Sequence, residues 1–193
     1  MILTKVTMDT GCCLKYKITD PYSIHRMVYS FFPEKSPERF LYADQGLSGN
    51  RREILILSGS VPELPEDVPG CSRKIGDQFF SHSSFRFEIL LNPVKTTPRS
   101  NKREPVKGQL PLLTYFTDRM KKWGFECDLE TLEVVILPSM NFTKKGHSCR
   151  MHKVKYRGVL TVTDQDTFRK CFESGIGHGK AFGFGLLQLI PIK

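Results

Sequence analysis

The sequence predicts an α+β protein made of two tandem ferredoxin-like (βαββαβ, RRM-like) domains, a topology used by RNA-recognition modules. Two observations predict this fold. Stretches with the alternating apolar pattern of strands are separated by stretches with the three-to-four-residue period of helices. This order occurs twice, once in residues 1–81 and again in residues 82–193. The 193 residues suffice for two domains of roughly 100 residues each.

The first half is expected to contain a strand, a helix, a β-hairpin, a short helical turn and a closing strand, in that order. Asp, Gly, Ser and Asn residues mark the turn of the hairpin. Three prolines after the hairpin leave room for little more than one helical turn. The predicted elements are strand 2–8, helix 21–32, strands 39–43 and 53–58 around turn 44–50, a short turn within 61–70, and strand 73–80.

The second half repeats this order. Residues 85–91 alternate strongly between apolar and polar side chains, which predicts the first strand. Pro111 suits the start of a helix that Gly124 ends, and Asp164 suits the N-cap of a second helix that ends before Gly175. The other predicted elements are a polar, basic connection at 92–108, strands at 132–138 and 154–162 flanking a basic turn, and a closing strand at 184–191.

Positive charge dominates the sequence and is clustered. The net charge is +9, from 29 Lys and Arg against 20 Asp and Glu. Residues 141–163 contain no acidic residue, and Glu104 is the only acidic residue in a second basic stretch, 95–107. Two such clusters favour a nucleic-acid partner over the alternative of solvated loops and strand faces, because phosphate backbones attract clustered cations. The cations are Lys144, Lys145, Arg150, Lys153, Lys155 and Arg157, and Lys95, Arg99, Lys102, Arg103 and Lys107.

Other features of the sequence exclude several classes of protein. A run of about 18 apolar residues, which a membrane-spanning helix needs, does not occur, so no membrane partner is expected. The N-terminus lacks the pattern of a signal peptide, and the six cysteines form no CxxC pair, so we expect reduced thiols in a cytoplasmic protein. His147, Cys149 and His152 lie close in sequence without a recognised fourth ligand. We therefore expect neither a metal nor a cofactor.

The helix predicted at residues 21–32 has one apolar and one reactive face. Successive side chains rotate by about 100° around a helix. The face expected to be buried carries Ile24, Met27, Val28, Phe31 and Phe32, and the opposite face carries Tyr22, His25, Arg26 and Tyr29. Histidine exchanges protons near neutral pH and a guanidinium binds phosphate, so the second face suits RNA cleavage by a 2′-hydroxyl. The spacing alone fits an ordinary surface histidine as well.

Residues 175–185 contain five glycines in eleven positions, together with Lys180. Glycine lets a backbone approach a ligand closely, and Lys180 adds a positive charge. The segment is not a phosphate-binding P-loop, because it lacks the GxxxxGK[ST] pattern. It is not a dinucleotide-binding fingerprint either, since a predicted strand follows instead of a helix. A tight connection and an RNA-contacting loop are both compatible with this pattern.

Taken together, these segments resemble the CasE group of CRISPR-associated endoribonucleases from type I-E systems. The most specific shared motif is the glycine-rich end, Gly175-Ile-Gly-His-Gly-Lys180 followed by Gly183-Phe-Gly-Leu-Leu-Gln-Leu-Ile-Pro191. The Tyr-x-x-His-Arg pattern of Tyr22, His25 and Arg26 is the next most specific. Weaker similarity runs in order through residues 2–5, 85–87, 91–95, 102–103 and 156–160.

The resemblance implies a metal-independent endoribonuclease. Such proteins bind the stem-loop of a CRISPR repeat transcript and cut at the 3′ base of the stem, leaving a 2′,3′-cyclic phosphate and a 5′-hydroxyl. They usually remain on the crRNA hairpin as a subunit of the Cascade complex, whose other subunits are the expected protein partners. The family's catalytic histidine falls on His25 and its tyrosine on Tyr22. Its basic hairpin, which enters the RNA groove, falls on residues 144–155.

The expected RNA-binding residues combine this resemblance with the charge clusters. They are Arg26, Lys95, Lys102, Arg103, Lys144, Lys145, Arg150, Lys153, Lys155 and Lys180. His178 departs from the family pattern, which has a small residue, proline or arginine there. Two other functions remain open: a non-catalytic subunit that caps the 3′ hairpin of the crRNA, and a general RNA-recognition module. The second would be supported by aromatic residues in an RNP-type pattern, which is not clearly placed in this sequence.

Overall fold

The structure is a computed structural model that describes residues 1–33, 39–96, 103–144 and 146–192. It has two main antiparallel β-sheets, one from each half of the chain, with helices packed against them, which confirms the predicted α+β class and its tandem arrangement. Lys102 and Lys145, two of the expected RNA-binding residues, lie outside the described residues, as does the side chain of Lys144.

The first half forms a four-stranded sheet with strand order β2-β3-β1-β4. The first and third strands are central, as in a split βαβ unit, and all of the pairs are antiparallel. The strands are β1 (Ile2–Asp9), β2 (Leu41–Ser48), β3 (Arg51–Ser58) and β4 (Gly70–Lys74), and the helices are α1 (Thr10–Lys15), α2 (Pro21–Ser30) and α3 (Asp77–Phe80).

The closing strand of this half was predicted at residues 73–80, and that prediction is wrong beyond residue 74. A strand would place Phe79 and Phe80 on opposite faces of the sheet. In α3 both rings turn instead toward the second half, where each contacts Phe172, with ring centroids 6.0 and 5.4 Å away. The packing of these two phenylalanines against Phe172 therefore ends the strand. Three smaller differences are α1, which was not predicted, residues 61–70, which form no helix, and the hairpin turn predicted at 44–50, most of which continues β2 as far as Ser48.

The second half repeats the arrangement with strand order β11-β5-β10-β8, and β9 also pairs with β10. Its β-hairpin is much longer than predicted, because the basic region expected as a turn continues both strands. The sheet strands are β5 (Ser84–Leu91), β8 (Phe125–Cys127), β9 (Glu133–Lys144), β10 (His147–Val162) and β11 (Gln188–Pro191). The helices are α4 (Gln109–Met120) and α5 (Gln165–Ser174), and a small separate ladder joins β6 (Val94–Thr96) to β7 (Arg103–Pro105).

The last strand starts later than the predicted residue 184. Gly183 and Gly185 have φ angles of 82° and 83°, in the left-handed region that a strand does not adopt. A Cβ atom on Gly185 would lie 2.2 Å from the carbonyl oxygen of Ile176, so only glycine fits there. Residues 184–187 are consequently a buried, irregular run, and β11 begins at Gln188.

The chain has two hydrophobic clusters, and the larger one joins the two halves. The smaller cluster packs β1 and β3 against the apolar face of α2, where all five residues expected to be buried are buried. The larger cluster contains the helices and sheet of the second half and also Leu41, Leu57 and Phe80 from the first half. The boundary between domains 1–81 and 82–193 stays a prediction and falls between α3 and β5.

All six cysteines carry free thiols. Within the described ranges, none of the helices combines the length and the apolar character that crossing a bilayer requires.

We predict that Gly124→Ala lowers the free energy of unfolding by about 3 kcal/mol, within the range of severe single substitutions. Gly124 has φ 81°, and a Cβ atom there would lie 2.5 Å from the backbone nitrogen of Phe168. The matched control is Gly49→Ala, with φ 61° but nothing within 4 Å of its Cβ position. This control should lose only about 1 kcal/mol, the cost of a left-handed residue. Urea denaturation measures both, and equal losses would contradict the prediction.

Candidate active site and RNA-binding surface

The start of α2 is fixed by its cap, which sets the direction of the side chains one turn later. The Asp20 carboxylate accepts a hydrogen bond from the Ser23 backbone N–H at 2.7 Å, and Ser23 Oγ accepts one from the Asp20 backbone N–H at 3.0 Å. Pro21 occupies the first turn, where its ring suits the helix. These signals were local, so the sequence predicted this helix and its faces correctly.

His25 lies between the two halves of the chain, half-buried. Its Nδ1 atom is 2.7 Å from the carbonyl oxygen of Ala181, a residue of the glycine-rich segment (residues 175–185). A carbonyl only accepts hydrogen bonds, so Nδ1–H is the donor and the lone pair of the neutral ring is on Nε2. The hydroxyl of Tyr42 donates to the same carbonyl at 3.1 Å. Burial raises the pKa of Tyr42, so this phenol stays protonated as a donor.

An aromatic cluster surrounds His25 and joins three segments of the chain. The cluster consists of Tyr22, His25 and Tyr29 of α2, Phe142 of β9 and Phe182 of the glycine-rich segment. The His25 ring is 4.2 Å from Tyr29, 5.1 Å from Phe182 and 5.6 Å from Tyr22, between ring centroids. Phe142 is buried; its ring packs at a tilt against Phe182, with centroids 4.5 Å apart, and stacks on Tyr22 at 6.3 Å.

Arg26 completes the face of α2 that the sequence predicted. Its guanidinium carbon lies 5.6 Å from the centre of the Tyr22 ring, and its side chain is exposed. The structure thus brings Tyr22, His25 and Arg26 together, as expected. It does not leave the histidine on an open surface, because the glycine-rich segment covers one side of its ring.

The glycine-rich segment is a tight connection built around the carbonyl that holds His25. Gly179 and Gly183 adopt φ angles of 89° and 82° on either side of a helical turn at residues 180–182. A Cβ atom on Gly183 would lie 3.0 Å from the Tyr42 ring. The glycines therefore let this backbone approach Tyr42 and α2 closely.

Two of the expected RNA-binding lysines are engaged within the protein. The Lys180 ammonium donates to the carbonyl oxygen of Ser174 at 2.7 Å, at the end of α5. Burial lowers the pKa of Lys180. Lys155 forms an ion pair with Glu88 of the neighbouring strand at 2.7 Å. RNA contacts by these two residues stay a prediction.

The other described cations form a basic surface on two hairpins. Arg150 is exposed and Lys153 is half-buried on β10, while Lys95 and Arg103 are exposed on the β6–β7 ladder. His152 of β10 is tied to the segment that leads into β6, because its backbone N–H donates to the buried Asn92 side chain at 3.1 Å. Burial, and secondarily Arg150 and Lys107, lower the pKa of His152. The two charge clusters seen in the sequence therefore lie side by side.

Sequence reasoning missed the side chains that assemble the site from a distance. Phe142, Phe182 and Tyr42 come from three separate elements, and no local spacing relates them to His25. The expectation that the chain binds no metal stays a prediction, and it includes His147, Cys149 and His152. Across the described ranges, no group of three or more His, Cys, Asp or Glu side chains is arranged to hold a metal ion.

Comparison with known proteins gives matches along nearly the whole chain. A family model described as CRISPR associated protein matches residues 1–191. The chain is 24% identical over 185 residues to the Cascade subunit CasE of Escherichia coli K12, covering 90% of this chain and 93% of that protein. It is 21% identical over 211 residues to the CRISPR-associated endoribonuclease Cse3 of Thermus thermophilus, covering 99% and 100%. A structure of Cse3 bound to a 19-nucleotide RNA has a TM-score of 0.83 at 22% identity, covering 99% and 100%, which confirms the fold.

The hydrogen bond to Ala181 predicts the tautomer of His25. In the neutral form, the proton should reside on Nδ1, whereas free histidine in water favours Nε2. A long-range ¹H–¹⁵N spectrum of the histidine rings at high pH distinguishes the two tautomers. His25→Gln identifies the signal by its loss. A signal with the Nε2–H pattern would contradict the geometry of the site.

Proposed function

The chain belongs to the family of CRISPR associated proteins, and on this premise we propose that it is a metal-independent endoribonuclease for CRISPR repeat RNA. It binds the repeat stem-loop and cuts at the 3′ base of the stem. The names of its relatives CasE and Cse3 support this proposal. The observation that carries it is the placement of His25, whose Nδ1 is anchored at 2.7 Å while the lone pair of its neutral ring is on Nε2, beside Tyr22 and Arg26.

The proposed reaction is an internal transfer of the phosphate. The 2′-oxygen attacks the adjacent phosphorus and loses its proton, while the bond from phosphorus to the 5′-oxygen breaks and that oxygen gains a proton. The products are a 2′,3′-cyclic phosphate and a 5′-hydroxyl, and no water is consumed. His25 fills one of the two proton-transfer roles through Nε2. The Ala181 carbonyl supports either role, because it orients the ring and stabilises the imidazolium.

The neighbours of His25 have supporting roles in this proposal. The Tyr22 hydroxyl positions the 2′-hydroxyl or the phosphate by a hydrogen bond. The exposed Arg26 guanidinium stabilises the negative charge that accumulates on the phosphorane. The Arg26 guanidinium carbon lies 5.6 Å from the centre of the Tyr22 ring, so the two side chains contact the same phosphate in this proposal.

We propose that the basic surface holds the stem. The β9–β10 hairpin enters the RNA groove, where its cations bind phosphates, and the β6–β7 ladder contacts the sugar-phosphate backbone of the RNA. The residues proposed for this binding are Lys95, Lys102, Arg103, Lys144, Lys145, Arg150, Lys153, Lys155 and Lys180, together with Arg26. The protein remains on the hairpin of the product as a subunit of Cascade, in the cytoplasm, with domains 1–81 and 82–193 acting together.

The first prediction concerns His25. A labelled repeat hairpin should be cut in EDTA, and a hairpin with a 2′-deoxy nucleotide at the scissile position should be bound but not cut. His25→Ala should lower the cleavage rate by about 100- to 10,000-fold, the contribution typical of a general acid or base. The dissociation constant for the hairpin should change little, because the basic surface is intact.

The control is His82→Ala. His82 is half-buried, lies between α3 and β5, and packs against Phe85. This variant should cut at the wild-type rate. A His25→Ala protein that cuts normally would overturn the catalytic assignment. Tight binding by the wild-type protein without cleavage of either RNA would favour the non-catalytic cap.

The second prediction concerns Phe142, which carries no reactive group. Its ring links the β9–β10 hairpin to Tyr22 and Phe182. Phe142→Ala should lower the single-turnover cleavage rate by about 10- to 100-fold, because small misplacements of catalytic groups cost this much. Ile136→Ala is the matched control, since Ile136 lies on the same strand but is 55% exposed. If Phe142→Ala weakened binding and left the rate at saturating RNA unchanged, the hairpin would act in affinity alone.

A further inference from the structure

The second half contains an open cleft that the reaction above does not use. Its volume is about 550 Å³, and it lies between the end of α4 with the following turn and the glycine-rich segment. Its lining residues are Tyr115, Asp118, Arg119, Lys122, Trp123, Gly177 and His178. Two permanent cations and one histidine face a single acid, so the cleft favours an anion.

The strongest cation of the cleft is held in place before any ligand binds. The Arg119 guanidinium lies 4.0 Å from the centre of the Tyr115 ring, and its Nη1 atom donates to the Tyr115 carbonyl at 2.9 Å. A stacked and hydrogen-bonded guanidinium has lost most of its freedom, so binding a phosphate costs little further entropy. Lys122 also lines the cleft, is exposed and adds a second positive charge.

His178 forms part of the opposite wall. Desolvation, and secondarily the charges of Arg103 on β7 and Lys180 on its own segment, hold the pKa of His178 below its ordinary value. Across the cleft, the charged groups are Asp118, Arg119 and Lys122, and burial raises the pKa of Tyr115. The ring is therefore mainly neutral at pH 7, and an anion in the cleft would favour its protonated form by offsetting the nearby positive charges.

The cleft is connected to the candidate active site by the backbone itself. His178 is three residues before Ala181, whose carbonyl holds His25. Gly179, between them, has φ 89°, and a Cβ atom there would lie 3.0 Å from the Phe184 ring. An RNA strand that lies over residues 178–181 therefore passes both the cleft and the reactive side chains of α2.

We propose that this cleft binds a phosphodiester group of the bound RNA, and that His178 takes up a proton when the RNA binds. Arg119 and Lys122 supply the permanent charge, and His178 supplies a charge that the phosphate favours. This inference rests on the proposed function, because it assigns a second contact to the same RNA. The RNA affinity should therefore rise as the pH falls. The rise should begin near the pKa of His178 in the complex and should be complete below the lower pKa of His178 in the free protein.

The test is histidine NMR on the full chain, free and bound to the repeat stem-loop with the 2′-deoxy nucleotide that blocks cleavage. The chain has five histidines, and His178→Gln identifies the His178 signal by its loss. RNA should raise the pKa of His178 by about one unit or more, which corresponds to about tenfold tighter binding of the protonated form. An unchanged or lowered pKa in the complex would overturn the proposal.

Binding titrations at pH 6 and pH 8 give an independent readout. His178→Gln should lose a measurable part of the tightening that the wild-type protein gains at pH 6, and His82→Gln should keep all of it. Asp118→Asn should bind RNA more tightly, and Lys122→Gln less tightly, at both pH values. Identical pH profiles for wild type and His178→Gln would reject the cleft. RNA that binds and is cut while His178 stays unchanged rejects only this inference, whereas no RNA binding at any pH rejects the proposed function as well.

Discussion

The hydrogen bond from His25 to the carbonyl of Ala181 is the contact on which the arrangement of the site depends. It joins residues 156 positions apart, at 2.7 Å, across the two halves of the chain. The carbonyl reaches α2 only because Gly179 and Gly183 allow a helical turn with left-handed residues at both ends. A side chain at position 183 would press on Tyr42, the second donor to the same carbonyl. The glycine-rich segment thus acts on His25 through its backbone as well as through the Phe182 ring.

The packing of the two halves supports this single contact. Leu41 and Leu57 of the first sheet belong to the larger hydrophobic cluster, together with the second sheet and its helices. Phe80 joins the same cluster because α3 replaces the end of the predicted strand. A hydrogen bond contributes about 1 kcal/mol on its own, so the shared apolar core is what holds the two halves in register for it.

Local signals explain which parts of the structure were predictable. The cap at Asp20 and the apolar face of α2 are determined by residues that are close in sequence, and both were predicted correctly. The late start of β11 depends on a carbonyl nine residues earlier that excludes a Cβ atom at Gly185, and α3 depends on a phenylalanine in α5. Likewise, the pattern of α2 placed Tyr22, His25 and Arg26 together, but the partners that cover His25 come from distant segments.

Net charge overstates how many cations are available to an RNA. Lys155 is paired with Glu88, Arg157 with Glu133, and Lys180 with a helix-terminal carbonyl. These contacts stabilise the sheet and the glycine-rich segment, and each must be given up or shared when a phosphate competes for the cation. Arg26, Lys95, Arg103 and Arg150 are exposed, and they lie on one helix and two hairpins. Affinity for a polyanion should therefore follow exposed cations such as these more closely than it follows the net charge, because only phosphates that are actually neutralised release counterions.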